Sequence, residues 1–188
     1  TRFEGCGKCV ACMTLCPTGA FVEPYVVDAR KCISYLTIEL QGAIPEEYRP
    51  LLGNRVYGCD DCQLVCPWNR FAELTQQEDF HRRPSFNNPD LVSLFSWSET
   101  EFLKNMEGSP IRRIGHLQWL RNLSVAMGNA PYSKSIVSAL ESRRGLSDVL
   151  DQHIDWALAQ QLAQLPYNET SKHGPLIRII QKGLPRDA

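Results

Sequence analysis

The chain lacks a long hydrophobic run and lacks a strong excess of either charge. No apolar stretch in its 188 residues is long enough to span a bilayer, so we expect no membrane partner. Basic and acidic residues nearly cancel, 20 against 21, so the overall charge does not indicate a nucleic-acid-binding protein. The four histidines show no metal-ligand spacing, and we expect none of them to bind a metal.

Cysteine, in contrast, is abundant and ordered. Four of the eight cysteines form a C-x2-C-x2-C-x3-C run closed by Pro17, three form a C-x2-C-x3-C run closed by Pro67, and one stands between the runs. In order they are Cys6, Cys9, Cys12, Cys16, Cys32, Cys59, Cys62 and Cys66. The first run is the bacterial ferredoxin pattern, which is typical of four-iron clusters. Eight thiolates at four per cluster predict two [4Fe–4S] clusters.

The ligand sets follow from the prolines, which turn the chain after the last cysteine of each run. In two-cluster ferredoxins that last cysteine ligates the other cluster. We therefore expect cluster 1 to take Cys6, Cys9, Cys12 and Cys66, and cluster 2 to take Cys16, Cys32, Cys59 and Cys62. In the second run Val56 stands where a first cysteine is expected, so Cys32 must supply the fourth ligand. We expect the 26 residues between Cys32 and Cys59 to build part of another site.

Two other uses of these cysteines are less consistent with the spacing. Four-cysteine zinc sites favour two C-x2-C pairs separated by a longer spacer, and a triple C-x2-C-x2-C does not fit that arrangement. A disulfide framework suits small secreted domains, and these loops are too tight for mutual pairing. Oxygen-sensitive clusters favour the reducing cytoplasm. Because the chain enters its first cysteine loop within six residues, we expect it to be the C-terminal part of a longer protein.

The fold class that we predict is α+β and mostly α. We expect a ferredoxin-like double-cluster domain at 1–70, a polar linker at 71–96 and a HEAT-like helical domain at 97–188, for which a plain helical bundle is the alternative. The second half holds eleven basic against nine acidic residues, whereas residues 1–96 hold nine against twelve.

Several helix boundaries can be predicted from local patterns. Asp28 should cap a helix with Ile33, Leu36 and Leu40 on its apolar face, ending before Gly42. Pro45 should start a short turn that Gly53 closes. Ser98 and Glu101 form a capping box. The later apolar positions predict one helix, which Gly128-Asn129-Ala130-Pro131 should end, and another near whose start Asp148 lies; these positions are Ile114, Leu117, Leu120, Leu123, then Val149, Leu150, Ile154, Leu158 and Leu162.

Three stretches of the chain resemble the epoxyqueuosine reductase family. The first runs from Cys6 to Ala20, the second from Asp28 to Glu39, and the third from Gly58 to Asn69; Gly115 to Leu123 and Gly128-Asn129-Ala130 are similar to the helical end of that family. The segment from Cys32 to Glu39 is the most specific, because ordinary ferredoxins lack it.

The resemblance implies reduction of epoxyqueuosine to queuosine at the wobble position of tRNA, with two clusters that feed electrons to a cobalamin. It implies that the catalytic acid and most of the cobalamin pocket lie in a preceding domain, so we assign no catalytic residue within this chain. Ser34, Cys59 and Asp60 are expected to approach the cobalamin. An external donor such as flavodoxin or ferredoxin would supply electrons, and we expect a monomer.

The RNA contacts are expected from Gln41 at the end of the inserted helix and from basic residues of the second half. Phosphates are bound by such side chains, although scattered charges often belong to a solvated helix face. The candidates are Arg112, Arg113, Arg143 and Arg144, among a wider set that includes His116, Arg121, Lys172, Arg178 and Lys182. Two other functions stay open, a cobalamin-dependent reductive dehalogenase and a ferredoxin-like electron-transfer module with a helical partner-binding domain.

Overall fold

The computed structural model describes residues 5–78, 83, 86 and 88–164. Within them the chain is mostly helical and has one small antiparallel sheet, as the fold-class prediction required. Two of the four histidines, His81 and His173, lie outside the described residues. So do three of the basic residues considered for RNA binding, Lys172, Arg178 and Lys182. No helix in the described ranges is long and apolar enough to cross a membrane.

The cysteine-rich half consists of short elements joined by tight loops. Helix α1 spans Ala11–Leu15, and strands β1 (Phe21–Glu23) and β2 (Val26–Val27) pair as a hairpin. A 3₁₀ turn at Glu46–Tyr48 leads into α2 at Arg49–Leu52, with Pro45 before it and Gly53 at its end, as predicted. Helix α3 (Asp61–Leu64) and a 3₁₀ helix at Pro67–Phe71 carry the second cysteine run.

The helix predicted after Asp28 is not one continuous α-helix. Asp28 does cap a turn, because its side chain accepts the N–H of Arg30 at 3.1 Å, but that 3₁₀ turn covers only Ala29–Lys31. Cys32 then adopts an extended backbone (φ −69°, ψ 126°), which interrupts the helix. A π-helix at Tyr35–Glu39 follows, with Leu40 as its C-cap, so the segment does end before Gly42 as predicted. Such π-helical turns are short and occur frequently at functional sites.

Between Leu91 and Gln164, the described chain forms five α-helices and one 3₁₀ helix. Helices α4 (Leu91–Ser96) and α5 (Glu99–Asn105) come first, and the capping box of Ser98 and Glu101 is present as predicted. A 3₁₀ helix at Pro110–Ile114 leads into α6 at Gly115–Asn129. Helices α7 (Lys134–Glu141) and α8 (Asp148–Ala163) complete the described part.

Helix α6 lies at the centre of this arrangement and packs mainly against α8. One hydrophobic core joins the tail helices to the segment between the two cysteine runs, because Ile33, Leu36, Ile44 and Leu52 are buried together with residues of α4 to α8. Two of the residues assigned to apolar faces are instead about half exposed, Leu117 at 48% and Leu162 at 55%.

Helix α6 ends at Asn129, with Ala130 as its C-cap, as the Gly128-Asn129-Ala130-Pro131 sequence predicts. A Cβ atom on Gly128 would lie 2.5 Å from the Trp156 ring and 2.9 Å from the Cα of Ala157. The glycine is therefore required by the close approach of α6 to α8, and not by a turn.

Candidate metal centre

One cavity in the first half is lined by four cysteines. Its volume is about 310 Å³, and its wall includes Cys6, Cys9, Cys12 and Cys66, together with Gly5, Ala11, Pro67, Trp68, Arg70 and Phe71. These four are the cysteines that the crossover rule groups as cluster 1, and no cysteine of the other group lines the cavity. The donor set of four thiols around a space wider than one ion suits an iron–sulfur cluster.

Local backbone geometry holds the two parts of this cavity in place. The N–H of Cys9 donates to the carbonyl of Cys6 at 2.9 Å, which closes the first loop. The indole N–H of Trp68 donates to the carbonyl of Gly5 at 3.2 Å, and this bond links the second cysteine run to the first. Cys6 and Cys9 are exposed, whereas the other six cysteines are partly buried.

Cys32, Cys12 and Cys16 lie near Cys62. Burial raises the pKa of the Cys62 thiol, and the negative charges of Cys32, Cys12 and Cys16 raise it further. Cys32 and Cys16 are two of the partners expected on cluster 2, whereas Cys12 belongs to the other set. Thiolates that repel one another before metal binding are held together by the positive charge of the iron once it is bound.

Cys16 has a different environment. Burial alone would raise the pKa of its thiol, but hydrogen bonds from Ala20 and Thr18 outweigh that effect and the pKa is lowered. The N–H of Ala20 donates to the sulfur at 3.3 Å. N–H donors of this kind also tune the potential of an iron–sulfur cluster.

Ser34 and Cys59 are in direct contact. The Ser34 hydroxyl accepts the N–H of Cys59 at 3.0 Å and donates to its carbonyl at 3.3 Å. Asp60 is exposed, and its carboxylate accepts the side-chain amide of Gln63 at 3.2 Å. The three residues expected to approach a cobalamin therefore lie together at the start of the second cysteine loop.

Cys59 also has a charged neighbour that the sequence did not point to. Burial raises the pKa of its thiol, the negative charge of Asp61 adds to this, and the positive charge of Arg55 opposes it. Arg55 is held by Asp61, whose carboxylate accepts its Nε–H at 3.2 Å. No group of three or more His, Cys, Asp or Glu side chains within the described ranges converges on a single metal ion.

The residues expected to bind RNA lie in three places: Gln41 after the π-helix, Arg112 and Arg113 in the 3₁₀ helix before α6, and Arg143 and Arg144 after α7. Gln41 is exposed and lines a second cavity, of about 460 Å³, with Gln118 and Arg121 at the start of α6. Arg113 forms an ion pair with Glu39, and Arg144 forms one with Asp155.

The other two arginines differ from each other. Arg143 donates to the carbonyls of Ser96 and Trp97 at 2.6 and 3.2 Å, and His116 also contacts the Trp97 carbonyl. Arg112 is exposed, and its side chain makes no hydrogen bond or ion pair within the described residues.

Arg121, named among the basic residues, is buried at 1% exposure and faces no carboxylate in the described part of the chain. Its guanidinium donates to the carbonyls of Leu36, Leu40 and Gly42 at 2.9, 2.6 and 2.7 Å. Burial lowers its pKa to about 10, so it stays charged at neutral pH. Arg121 thus stabilises the segment between Cys32 and Cys59, called the inserted segment below, and its guanidinium is not available to a phosphate.

Comparison with known proteins matches both parts of the chain. Residues 5–69 match the model of a 4Fe–4S double cluster binding domain. The chain is 65% identical over 189 residues to the epoxyqueuosine reductase of Escherichia coli, an alignment that covers 98% of this chain and 50% of the relative. It is 68% identical over 188 residues to the enzyme of that name from Shewanella oneidensis, covering 98% and 48%.

A solved structure described as epoxyqueuosine reductase with a tRNA-Tyr epoxyqueuosine-modified tRNA stem loop superposes with a TM-score of 0.76 at 32% identity. That alignment covers 83% of this chain and 42% of the solved chain. The chain thus spans about half the length of the relatives that it matches.

Proposed function

We propose that this chain, which belongs to the epoxyqueuosine reductase family over the segment that it spans, provides two [4Fe–4S] clusters and part of a tRNA-binding surface to an enzyme that reduces epoxyqueuosine to queuosine in tRNA. The observation that carries the proposal is the cavity lined by Cys6, Cys9, Cys12 and Cys66. Three of these thiols come from the first cysteine run and one from the second, and their shared cavity supports the ligand set expected from the crossover rule for two-cluster domains.

We assign cluster 1 to the four cysteines of that cavity and cluster 2 to Cys16, Cys32, Cys59 and Cys62. When bound, the clusters supply electrons one at a time, and cobalamin supplies the cobalt chemistry that opens the epoxide. The residues of this chain bind the clusters as thiolates and exclude water from the more buried of the two. The exposure of Cys6 and Cys9 supports electron entry at cluster 1, from an external donor such as flavodoxin or ferredoxin.

The cobalamin contact of this chain is proposed at Ser34, Cys59 and Asp60. The Ser34 hydroxyl and the Cys59 backbone are hydrogen-bonded to each other. They would therefore form a rigid wall beside the cobalamin and would not coordinate its cobalt. The exposed carboxylate of Asp60 can accept a hydrogen bond from an amide of a bound corrin. The larger part of such a pocket belongs to the portion of the relatives that this chain does not span.

The tRNA surface is proposed at Gln41, Arg112, Arg113, Arg143 and Arg144. Arg113 and Glu39 connect the start of α6 to the end of the π-helix, so Gln41 and the Arg112–Arg113 pair lie on one side of the molecule. Phosphate contacts from this side would orient the RNA without reading its sequence. We further propose that the protein acts as a monomer in the cytoplasm.

The experiment uses the full-length protein, reconstituted with iron and sulfide under anaerobic conditions. We expect about eight irons per chain by the four-per-cluster count, the paramagnetic resonance of reduced four-iron clusters, cobalamin binding, and turnover of tRNA that carries epoxyqueuosine. Stoichiometric zinc without the cluster signals would refute the cluster assignment. Two clusters with no tRNA shift and no turnover would leave an electron-transfer module, and turnover of halogenated organic substrates would indicate the dehalogenase function.

A further inference from the structure

Two hydroxyl groups, that of Thr37, which is buried, and that of Ser34, which is partly buried, hold the Gly58–Cys59 peptide. Thr37 is fully buried, and its Oγ1 accepts the N–H of Gly58 at 2.9 Å while it donates to the carbonyl of Ile33 at 2.7 Å. Ser34 accepts the next N–H, that of Cys59, at 3.0 Å. Successive N–H groups of the second cysteine loop are thus both satisfied by side chains of the inserted segment.

The inserted segment is itself held by helix α6. The single π-helical turn closes with the N–H of Leu40 on the carbonyl of Tyr35, so the carbonyls between them need partners from elsewhere. Asn122 donates one amide hydrogen to the carbonyl of Thr37 and the other to the carbonyl of Val56, each at 2.8 Å. Gln118 donates to the carbonyl of Ile38 at 2.9 Å.

These bonds form a continuous connection from the tail helix to the cysteine loop. Asn122 binds both the residue that carries the hydroxyl and the strand-like segment that leads to Gly58, at Val56. The position of the Gly58–Cys59 peptide relative to Cys32 is therefore set by Thr37, and the position of Thr37 is set by α6. Groups that orient a metal ligand affect the metal site nearly as strongly as the ligands do.

We propose that Thr37 is a positioning residue for the Cys59 thiolate, and that it sets the reduction potential of cluster 2 by holding the Gly58–Cys59 peptide. The inference rests on the proposed role of Cys59 as a ligand of that cluster. Without the hydroxyl, the Gly58 N–H is released and the loop admits water. Both changes favour the reduced cluster, which carries one more negative charge, so its potential should rise.

The test compares Thr37→Val with Thr37→Ser in the full-length, reconstituted protein. The valine variant keeps the shape of the side chain and loses both hydrogen bonds, whereas serine keeps them. We expect amide exchange at Gly58 and Cys59 to be roughly tenfold faster in the valine variant and near wild type in the serine variant. In a redox titration followed by paramagnetic resonance, only Thr37→Val should raise the potential of cluster 2, with cluster 1 unchanged.

Ser124 provides the matched control. It is fully buried in α6 and donates to the carbonyl four residues earlier, that of Leu120, at 2.9 Å, as Thr37 does to Ile33. Ser124→Ala should lower thermal stability without changing either potential. If Thr37→Val does not fold, Ser34→Ala releases the neighbouring N–H of Cys59 and is expected to raise the same potential.

The outcomes separate the two proposals. A wild-type protein that takes up no four-iron clusters contradicts the proposed function. If both clusters form in the wild type and the potential of cluster 2 in Thr37→Val equals the wild-type value, the inference alone is overturned. Where Thr37→Val does not fold, an unchanged potential of cluster 2 in Ser34→Ala overturns it. An equal shift in Ser124→Ala also overturns it, because the effect would then reflect general loosening of α6.

Discussion

The Nε2 atom of His153 accepts a hydrogen bond from the backbone N–H of Ile44 at 3.1 Å, across 109 residues of sequence. The other ring nitrogen lies 2.6 Å from the carbonyl of Val149, so Nδ1 carries the hydrogen and the ring is neutral. Helix α8 thereby satisfies a buried amide of the segment between the two cysteine runs. Both ring nitrogens of this histidine are thus used to hold the fold together.

This neutral histidine predicts a dependence of stability on pH. Burial lowers the pKa of His153 to about 4, and the charges of Arg49 and Arg121 lower it further, while the Val149 carbonyl acts in the opposite direction. The pKa of His153 in the folded protein lies below its unfolded value of about 6.5, so the unfolded chain binds more protons as the pH falls. The stability that the neutral histidine contributes is therefore complete only above pH 6.5, and it is lost as the pH falls towards 4. We expect a loss of about 2 kcal/mol between pH 7 and pH 5.

Denaturant unfolding at a series of pH values measures this effect. His153→Gln should be less stable at pH 7, since it cannot make both bonds, and should lack the histidine part of the pH dependence. The same slope in wild type and variant would mean that other groups cause the acid sensitivity.

Gly128 predicts a steric effect at the contact of α6 with α8. Gly128→Ala would place a methyl group 2.5 Å from Trp156, and we expect a loss of about 1–3 kcal/mol in the free energy of unfolding. Gly42→Ala is the control, because a Cβ atom there meets nothing within 4 Å and φ is not positive. That variant should change stability by less than about 1 kcal/mol. Equal effects of the two substitutions would contradict the close helix contact.

The crossover of ligands predicts opposite results for two cysteine substitutions. Cys66→Ala should remove or damage cluster 1, whose cavity it lines, and leave cluster 2 largely intact. Cys32→Ala should damage the cluster bound by Cys59 and Cys62 and spare the other. Iron content and paramagnetic resonance of the reduced proteins report which cluster is lost. If Cys66→Ala and Cys59→Ala abolish the same signal, the ligand assignment is wrong.

The arginines at the start of α6 predict the salt dependence of tRNA binding. The side chain of Arg112 has no hydrogen bond or ion pair among the described residues. The side chains of Arg113 and Glu39 are each 58% exposed, so a phosphate can replace Glu39 as the partner of Arg113 at little cost in free energy. The double variant Arg112→Glu and Arg113→Glu should weaken tRNA binding, and the slope of log affinity against log salt should become shallower by about one for each lost contact.

Arg30 offers a comparable arginine for control. Its side chain is 86% exposed and pairs with Asp28 in the first half of the chain. Arg30→Glu should leave tRNA affinity unchanged, and the cluster spectra of all these variants should match the wild type. Wild-type affinity and salt dependence in the double variant would place the RNA on another surface.

Features that depend on neighbouring residues could be predicted from the sequence alone. Cluster-binding loops, capping boxes and turns depend on residues only a few positions apart. The spacing of Cys6, Cys9 and Cys12 therefore predicts a cluster loop, and the pair Ser98 and Glu101 predicts a helix start, whatever the rest of the fold. The mostly helical character and the family resemblance came from the same local patterns, and the structure and the comparisons confirmed them.

Tertiary contacts decided the rest. Periodicity predicted Leu117 to be buried and said nothing of Arg121, yet the leucine is half exposed and the arginine is buried at 1% exposure, because the inserted segment presents carbonyl groups to that part of α6. The hydroxyl oxygens of Ser34 and Thr37 accept the N–H groups of Cys59 and Gly58, and they can do so only because the second cysteine loop lies beside the π-helix. A polar side chain shows its capacity for hydrogen bonds in the sequence, but its partner is chosen by residues far away along the chain.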